Sequence, residues 1–170
     1  KQDPAFRTKI EMALELVERA VALGIPFRVV VADNWFGSNA GFLKTLEARG
    51  RPYLVELKPS QRVFVRLAGD LGRNEHRLAE ALSLLTPKDF RPVRLPMADG
   101  TERPVHVARL ALKIKRLSGK RRVVVVTTRP DAPTQDEDLR LLTTNVVELR
   151  DATVAELYAR RNWVEVFYRE

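Results

Sequence analysis

The chain has 170 residues, 45% of them hydrophobic, and carries 30 Lys and Arg against 22 Asp and Glu, which gives a net charge of +8. This length and hydrophobic content fit one packed domain, or one domain with a sizeable insertion. The positive charge favours a polyanionic partner, nucleic acid first, over an ordinary basic surface. The chain has no cysteine, which excludes a disulfide framework and a cysteine-based zinc site. Its apolar runs, such as VVVV at 123–126, are too short to cross a membrane.

The first third of the chain predicts alternating helices and strands. Apolar residues at helical spacing indicate a first helix, which Asp3 caps and Gly24 ends. The segment FRVVVAD, residues 27–33, contains a continuous β-branched run without alternation, which is typical of a strand buried on both faces. A second helix, capped by Ser38, and a second strand at residues 53–57 follow. This order favours an α/β layer with a central sheet.

The middle of the chain predicts a mainly antiparallel β region inserted into that layer. A short helix is expected at residues 75–85. Three strand-like segments follow it, namely RPVRLP at 91–96, PVHVARLALKIKR at 104–116 and RRVVVVTT at 121–128. After an acidic loop with two prolines, residues 139–146 return to a strand. Thr153 and Glu156 then form a capping box, which predicts the start of the last helix.

Asp33 is the first candidate for chemistry. It stands at the carboxyl end of the predicted strand, where open α/β sheets place their ligand sites. Two interpretations stay open from position alone: a cap for a turn or for the next helix, and a metal-binding or catalytic carboxylate. The chain has no G-x-G-x-x-G after a strand and no Walker motif, which argues against a nucleotide site.

Glu165 is the second candidate, in the tail YARRNWVEVFYRE at 158–170. Seven residues are about two helical turns, so Tyr158, Arg161 and Glu165 share one face of a helix. A glutamate on a face bordered by apolar residues needs a partner or a cation. From spacing alone the favoured interpretation is a surface pair of Arg161 with Glu165, worth about 0.2–0.5 kcal/mol.

The tail resembles the Y-x2-R-x3-E-x6-K signature of insertion-sequence DDE transposases, which have a ribonuclease-H-like core and an inserted β domain. The signature lysine falls beyond residue 170. The stretch VVVADNWFGSNAGFLKTLEARGRPYLVELKPS is also similar to this family, in which the second catalytic aspartate follows a buried strand. The resemblance implies an α/β fold with a ribonuclease-H-like mixed sheet, incomplete at its N-terminus. Its core would comprise residues 1–58 and 139–170, and a β-rich insertion would span residues 59–138.

The resemblance also implies a chemistry and its residues. Asp33 and Glu165 would be the second and third catalytic acids and would bind two Mg²⁺ or Mn²⁺ ions, since these ions prefer oxygen ligands. Tyr158 and Arg161 would contact the DNA backbone near the cleaved end. The reaction would be hydrolysis at transposon ends, followed by attack of the freed 3′-hydroxyl on target DNA. Both the hairpin route and the direct route remain open.

Further expectations follow from the same resemblance. The first catalytic aspartate would precede this chain in a longer protein, so we expect the chain alone to lack strand-transfer activity. The full-length protein would act as a dimer on paired transposon ends, without a membrane partner. It would be a bacterial cytoplasmic protein that meets the nucleoid during activity.

The basic segment KIKRLSGKRR, residues 113–122, predicts a hairpin with Ser118 and Gly119 at its turn. One interpretation is a grip on the DNA backbone, and the other is a solvated hairpin end. Its candidate DNA-binding residues are Lys113, Lys115, Arg116, Lys120, Arg121 and Arg122. Two other functions stay open for the whole chain: a non-catalytic DNA-binding module from a decayed or domesticated element, and a basic α/β domain that binds RNA or a protein.

Overall fold

The computed structural model of the chain describes residues 7–161. The helices are α1 Lys9–Ala22, α2 Asn34–Gly37, α3 Ala40–Ala48, α4 Leu78–Ala81 and α5 Asp151–Ala159. The strands are β1 Val30–Ala32, β2 Tyr53–Glu56, β3 Arg62–Val65, β4 Asn74–Arg77, β5 Arg91–Pro96, β6 Glu102–Ile114, β7 Arg121–Thr127 and β8 Arg140–Thr144. The mixed α/β class predicted from the sequence is therefore confirmed.

The described strands form one eight-stranded sheet in the order β1-β2-β8-β7-β6-β3-β4, with β5 also paired to β6. Among the strands of residues 7–161, only β1 and β2 pair in parallel, and the other pairs are antiparallel. Strands from all three predicted segments share this sheet, since β7 pairs directly with β8. The division into a core and an insertion stays a prediction.

The sheet is packed on both faces. Strand β2 shows the alternation: Tyr53 and Val55 join one hydrophobic cluster, whereas Leu54 joins the other. The first cluster includes residues of α3 and α4 and is flanked by α1. The second cluster includes Val154 and Tyr158 of α5. Helix α5 therefore lies on the opposite face of the sheet from α1 and α3, and this places it on the side that Glu56 faces.

Two sequence predictions about strands and helices need correction. Strand β1 spans only Val30–Ala32 and lies at the end of the described sheet, so it is half-buried rather than enclosed on both faces. The helix predicted at 75–85 begins instead as strand β4, because Asn74–Arg77 pair with β3. Only Leu78–Ala81 are α-helical, and a 3₁₀ turn follows them.

The predicted helix starts were also displaced. Asn39, not Ser38, caps α3 and accepts a hydrogen bond from the Phe42 amide at 2.9 Å. Helix α5 begins at Asp151, ahead of the predicted Thr153 box. An acidic residue in the first turn suits the positive end of the helix dipole, and Arg109 holds Asp151 there at 2.8 Å. The predicted cap Asp3 lies outside the described residues.

A buried carboxylate fixes the loop between β7 and β8. Asp136 is 9% exposed and accepts hydrogen bonds from Thr127 Oγ1 and the Thr128 amide, both at 2.5 Å, and from the Asp138 amide at 2.9 Å. Burial alone would raise the pKa of this carboxyl. The hydrogen bonds outweigh burial and hold the pKa at about 2, so Asp136 is ionised at neutral pH.

Candidate functional site

Asp33 follows the last residue of β1, at the carboxyl end of the parallel pair. Its Oδ1 accepts hydrogen bonds from the amides of Trp35 at 3.0 Å and Phe36 at 3.3 Å, so the carboxylate caps α2. This is the structural role weighed from the sequence. These amides donate to Oδ1, whereas Oδ2 accepts a long hydrogen bond from the Arg161 guanidinium at 3.5 Å.

The short helix α2 is pressed against the end of β2. A Cβ atom at Gly37 would lie 1.9 Å from the main-chain oxygen of Glu56, far inside any van der Waals contact. Only glycine permits this approach of one backbone to another. Gly37 therefore fixes the distance between α2, which Asp33 caps, and strand β2.

Helix α5 brings two predicted site residues to this end of the sheet. Tyr158 is 5% exposed, and its hydroxyl donates to Glu56 Oε2 at 2.7 Å. An Arg161 guanidinium nitrogen lies 3.5 Å from Asp33 Oδ2, across a separation of 128 residues in sequence. Burial, followed by the bond to Glu56, raises the pKa of Tyr158, so this hydroxyl stays a proton donor at neutral pH.

Glu56 is a site residue that our sequence analysis did not single out. Ala32 pairs with Val55, so Asp33 and Glu56 are the next residues on two neighbouring parallel strands. The Glu56 side chain is 13% exposed and lies 3.8 Å from the Arg140 guanidinium. A carboxylate at the end of the second predicted strand, beside the strand that carries Asp33, was the available signal.

The structure does not test the proposed DNA contact of Tyr158. A phenol has one O–H to donate, and here that donor is used by Glu56. A phosphate oxygen would have to displace this bond. Arg161 is better placed, because a guanidinium has five donors and its side chain is 28% exposed. The roles of both residues toward DNA stay predictions.

Glu165 lies outside the described residues. Within residues 7–161 there is no group of three or more His, Cys, Asp or Glu side chains that could hold a metal ion. The donors that this end of the sheet does offer are carboxylate oxygens, the type that Mg²⁺ and Mn²⁺ prefer. Asp33 Oδ2 is one such oxygen, and the roles of Asp33 and Glu165 toward a metal ion stay predictions.

The basic hairpin has the predicted form, with its turn between β6 and β7, but two of its six residues point into the protein. A guanidinium nitrogen of Arg121 lies 2.9 Å from Glu47 Oε2. Arg122 donates to the main-chain oxygens of Leu149 at 2.5 Å and Val146 at 2.8 Å. Both side chains hold the segment before α5 and the end of α3 against the sheet, so their described contacts are structural.

The other four basic residues lie nearer to solvent. Lys115 Nζ lies 2.8 Å from Glu75 Oε2, and Lys113 Nζ lies 5.7 Å from the centre of the Phe64 ring. Arg116 and Lys120 are exposed and have no side-chain hydrogen bond or ion pair in the part of the chain that the structure describes. Their role in DNA binding stays a prediction, and Arg116 and Lys120 are the best placed to perform it.

The comparison with protein families bears directly on this site. Residues 1–75 match the family model described as DDE superfamily endonuclease. The match supports a DDE transposase-type fragment. It contains Asp33 and Glu56 but ends before Tyr158 and Arg161. The observed sheet, mostly antiparallel, is consistent with a ribonuclease-H-like DDE fold.

The family description indicates a function of the nuclease or transposase type and a nucleic acid substrate. DDE superfamily nucleases generally use divalent metals. No curated protein was found to match the chain. Among the described helices, none combines the length and apolar character that a membrane span requires.

Proposed function

We propose that this chain supplies two of the three catalytic carboxylates, Asp33 and Glu165, of a DDE transposase. In the full-length protein the site would catalyse metal-dependent cleavage of DNA at transposon ends and transfer of the freed strand to target DNA. Full-length copies would act as a dimer on paired ends. The chain alone would bind DNA without joining it, because the first aspartate of the triad is not among its residues.

The contact between Arg161 and Asp33 is the observation that carries this proposal. It brings the end of the last helix to the carboxyl end of β1, although the two residues are 128 positions apart. Glu165 follows Arg161 by four residues, about one helical turn. On the helix that the sequence pattern predicts for the tail, Glu165 shares a face with Arg161, and in the proposed site that face would be turned toward Asp33.

Carboxylates gathered at one place repel each other unless a cation joins them. Asp33 Oδ2 and the Glu165 carboxylate would hold a divalent cation, with the first aspartate as the third ligand. When bound, two such ions would activate the attacking hydroxyl and stabilise the leaving oxygen. The 3.5 Å separation between Arg161 and Asp33 Oδ2 is at the limit of a hydrogen bond, so this carboxylate oxygen is weakly held.

The residues around these carboxylates have distinct roles in the proposal. Arg161 would donate to phosphate oxygens once Asp33 binds a cation, since a planar guanidinium suits bidentate bonds to phosphate. Tyr158 and Glu56 are positioning residues, because their 2.7 Å hydrogen bond fastens α5 to β2. This bond keeps the end of α5 beside Asp33 while DNA enters and leaves.

The test uses the full-length protein that contains all three carboxylates, with a labelled duplex that carries the transposon end. Asp33→Asn and Glu165→Gln should each abolish Mg²⁺- and Mn²⁺-dependent cleavage while duplex binding in EDTA persists. Glu148→Gln, which changes an exposed carboxylate near the start of α5, is the matched control and should leave cleavage intact. Full cleavage by either active-site variant would refute the proposal. Binding without any cleavage by the unaltered protein would favour a non-catalytic DNA-binding module.

A further inference from the structure

A cleft of about 290 Å³ lies beside the proposed active site, between the end of α2 and the turn of the β6–β7 hairpin. Its base includes Leu43, Ile114 and Leu117 of the first hydrophobic cluster. It therefore opens on the face of the sheet opposite α5, which is not the face that holds Tyr158. Helix α2 connects the two places, since Asp33 caps its start and Ser38 follows its end.

Four cationic side chains line this cleft, and they come from two separate parts of the chain. Lys58 and Arg62 follow β2, whereas Lys115 and Arg116 belong to the turn of the basic hairpin. Lys58 and Arg116 have no side-chain hydrogen bond or ion pair within residues 7–161. The fold thus brings four cationic side chains to one cleft, and two of them have no side-chain partner among the described residues.

The Glu75 carboxylate partly neutralises the other two cations, Arg62 and Lys115. Glu75 Oε2 lies 2.8 Å from Lys115 Nζ, and Glu75 Oε1 lies 3.6 Å from the Arg62 guanidinium. These side chains are 33% to 49% exposed, so water and salt weaken their attraction. A bound polyanion can therefore compete with Glu75 for both cations.

Ser38 also borders the cleft, and its Oγ is buried without a hydrogen-bond partner in the described residues. The donors that the open cleft offers are its four cationic side chains, which suit phosphate oxygens.

We propose that this cleft binds the phosphate backbone of DNA that flanks the strand held at Asp33, and that Glu75 competes with the phosphates for Lys115 and Arg62. The proposal rests on the proposed function for the identity of the ligand. Helix α2 has four residues and is about 6 Å long, which is about the rise of two base pairs along the axis of duplex DNA. DNA bound at Asp33 would therefore reach the cleft within a few nucleotides.

Removing two cations from the cleft and removing the carboxylate of Glu75 should change the affinity for DNA in opposite directions. Lys58→Gln combined with Arg116→Gln removes two phosphate contacts and should lower the slope of log affinity against log salt by about two. The affinity for duplex DNA at 0.1 M salt should fall about tenfold or more. Glu75→Gln should instead raise the affinity several-fold, because it frees Lys115 and Arg62. A merely structural role for Glu75 would not raise the affinity.

The experiment measures binding of a fluorescent duplex to this chain in EDTA across a salt series, so that it does not depend on metal or on cleavage. The control is Lys88→Gln combined with Arg94→Gln, which removes the same charge from exposed positions outside the cleft. A smaller loss in the control than in the cleft variant supports the proposal. An equal loss in both, or an unchanged affinity in the Glu75 variant, overturns it. Asp33→Asn should bind the duplex as the unaltered chain does. If it does, a failure of the catalytic proposal can be told apart from a failure of the cleft proposal.

Discussion

The substitution Tyr158→Phe tests whether a single buried hydrogen bond fastens α5 to the sheet. It removes the hydroxyl that donates to Glu56 Oε2 at 2.7 Å and leaves the aromatic ring in place. Among the described residues, the Glu56 side chain, which is 13% exposed, then keeps only the Arg140 guanidinium as an ion partner, at 3.8 Å. A hydrogen bond to a charged group contributes about 1.5–3 kcal/mol, so the free energy of unfolding should fall by about 2 kcal/mol.

Urea unfolding of this chain at pH 7, followed by circular dichroism, measures that change. Glu56→Ala, which removes the acceptor oxygens, and the double variant complete a mutant cycle, and we expect the two single losses to be strongly non-additive because both remove the same bond. Tyr53→Phe is a matched comparison, since Tyr53 donates to Glu47 at the same 2.7 Å on the other face of the sheet. Additive losses, or a loss below about 0.5 kcal/mol for Tyr158→Phe, would refute the reasoning.

Two further predictions concern the frame of the site. Gly37→Ala should lower the free energy of unfolding in urea by about 1–3 kcal/mol or more, because its Cβ would meet main-chain atoms of Glu56. It should also reduce cleavage by the full-length protein. The control is Gly72→Ala, where the added Cβ meets nothing within 4 Å, and it should change neither stability nor cleavage. The folded state holds the pKa of Asp136 at about 2, below that of an unfolded carboxyl, so the ionised side chain stabilises the fold at pH values above about 4. About 2 kcal/mol of this stability should be lost as the pH falls from about 4 to 2. In Asp136→Asn this acid-dependent loss should disappear from the unfolding curve, and an unchanged pH profile would contradict the assignment.

Much of the fold was predictable because local patterns and tertiary packing agree. The segment RRVVVVTT was predicted as a strand, and the valine run of β7 lies in the middle of the described sheet with residues of both clusters on its two faces. The turn of the basic hairpin lies where Ser118 and Gly119 place it, and Gly119 has φ 70°. Helix α1 ends before Gly24, which has φ 66°.

The failures occur where distant contacts decide the outcome. Residues 75–77 have a helical pattern, but their pairing with β3 makes them a strand, and no local signal reveals that partner. The partners of Arg121 and Arg122, which are Glu47 and the carbonyls before α5, were likewise not apparent from the sequence, and the role of these two residues in DNA binding stays a prediction. These partners are far away in sequence, so charge alone could not separate structural cations from available ones.

The candidate site also includes residues that the sequence pattern indicates and residues whose position depends on distant contacts. Asp33 could be selected as a candidate from its position after a strand, and its catalytic role stays a prediction, while the structure places Arg161 3.5 Å from its Oδ2. Glu56 was missed because its importance depends on the register of β1 with β2, which pairs Ala32 with Val55. The depth of Tyr158 was also not apparent, since its helical face was interpreted as one that contacts DNA.

The account depends most on the proximity of Glu165 to Asp33, and the absence of cysteine from the chain makes this directly measurable. Asp33→Cys combined with Glu165→Cys introduces the only two thiols, which a short bifunctional thiol reagent can join. Leu71→Cys combined with Glu165→Cys is the control, because Leu71 is fully exposed in the loop between β3 and β4, at the far end of the sheet from β1. The account predicts rapid intramolecular crosslinking of the first pair and little of the control pair. Equal or slower crosslinking between positions 33 and 165 would contradict it.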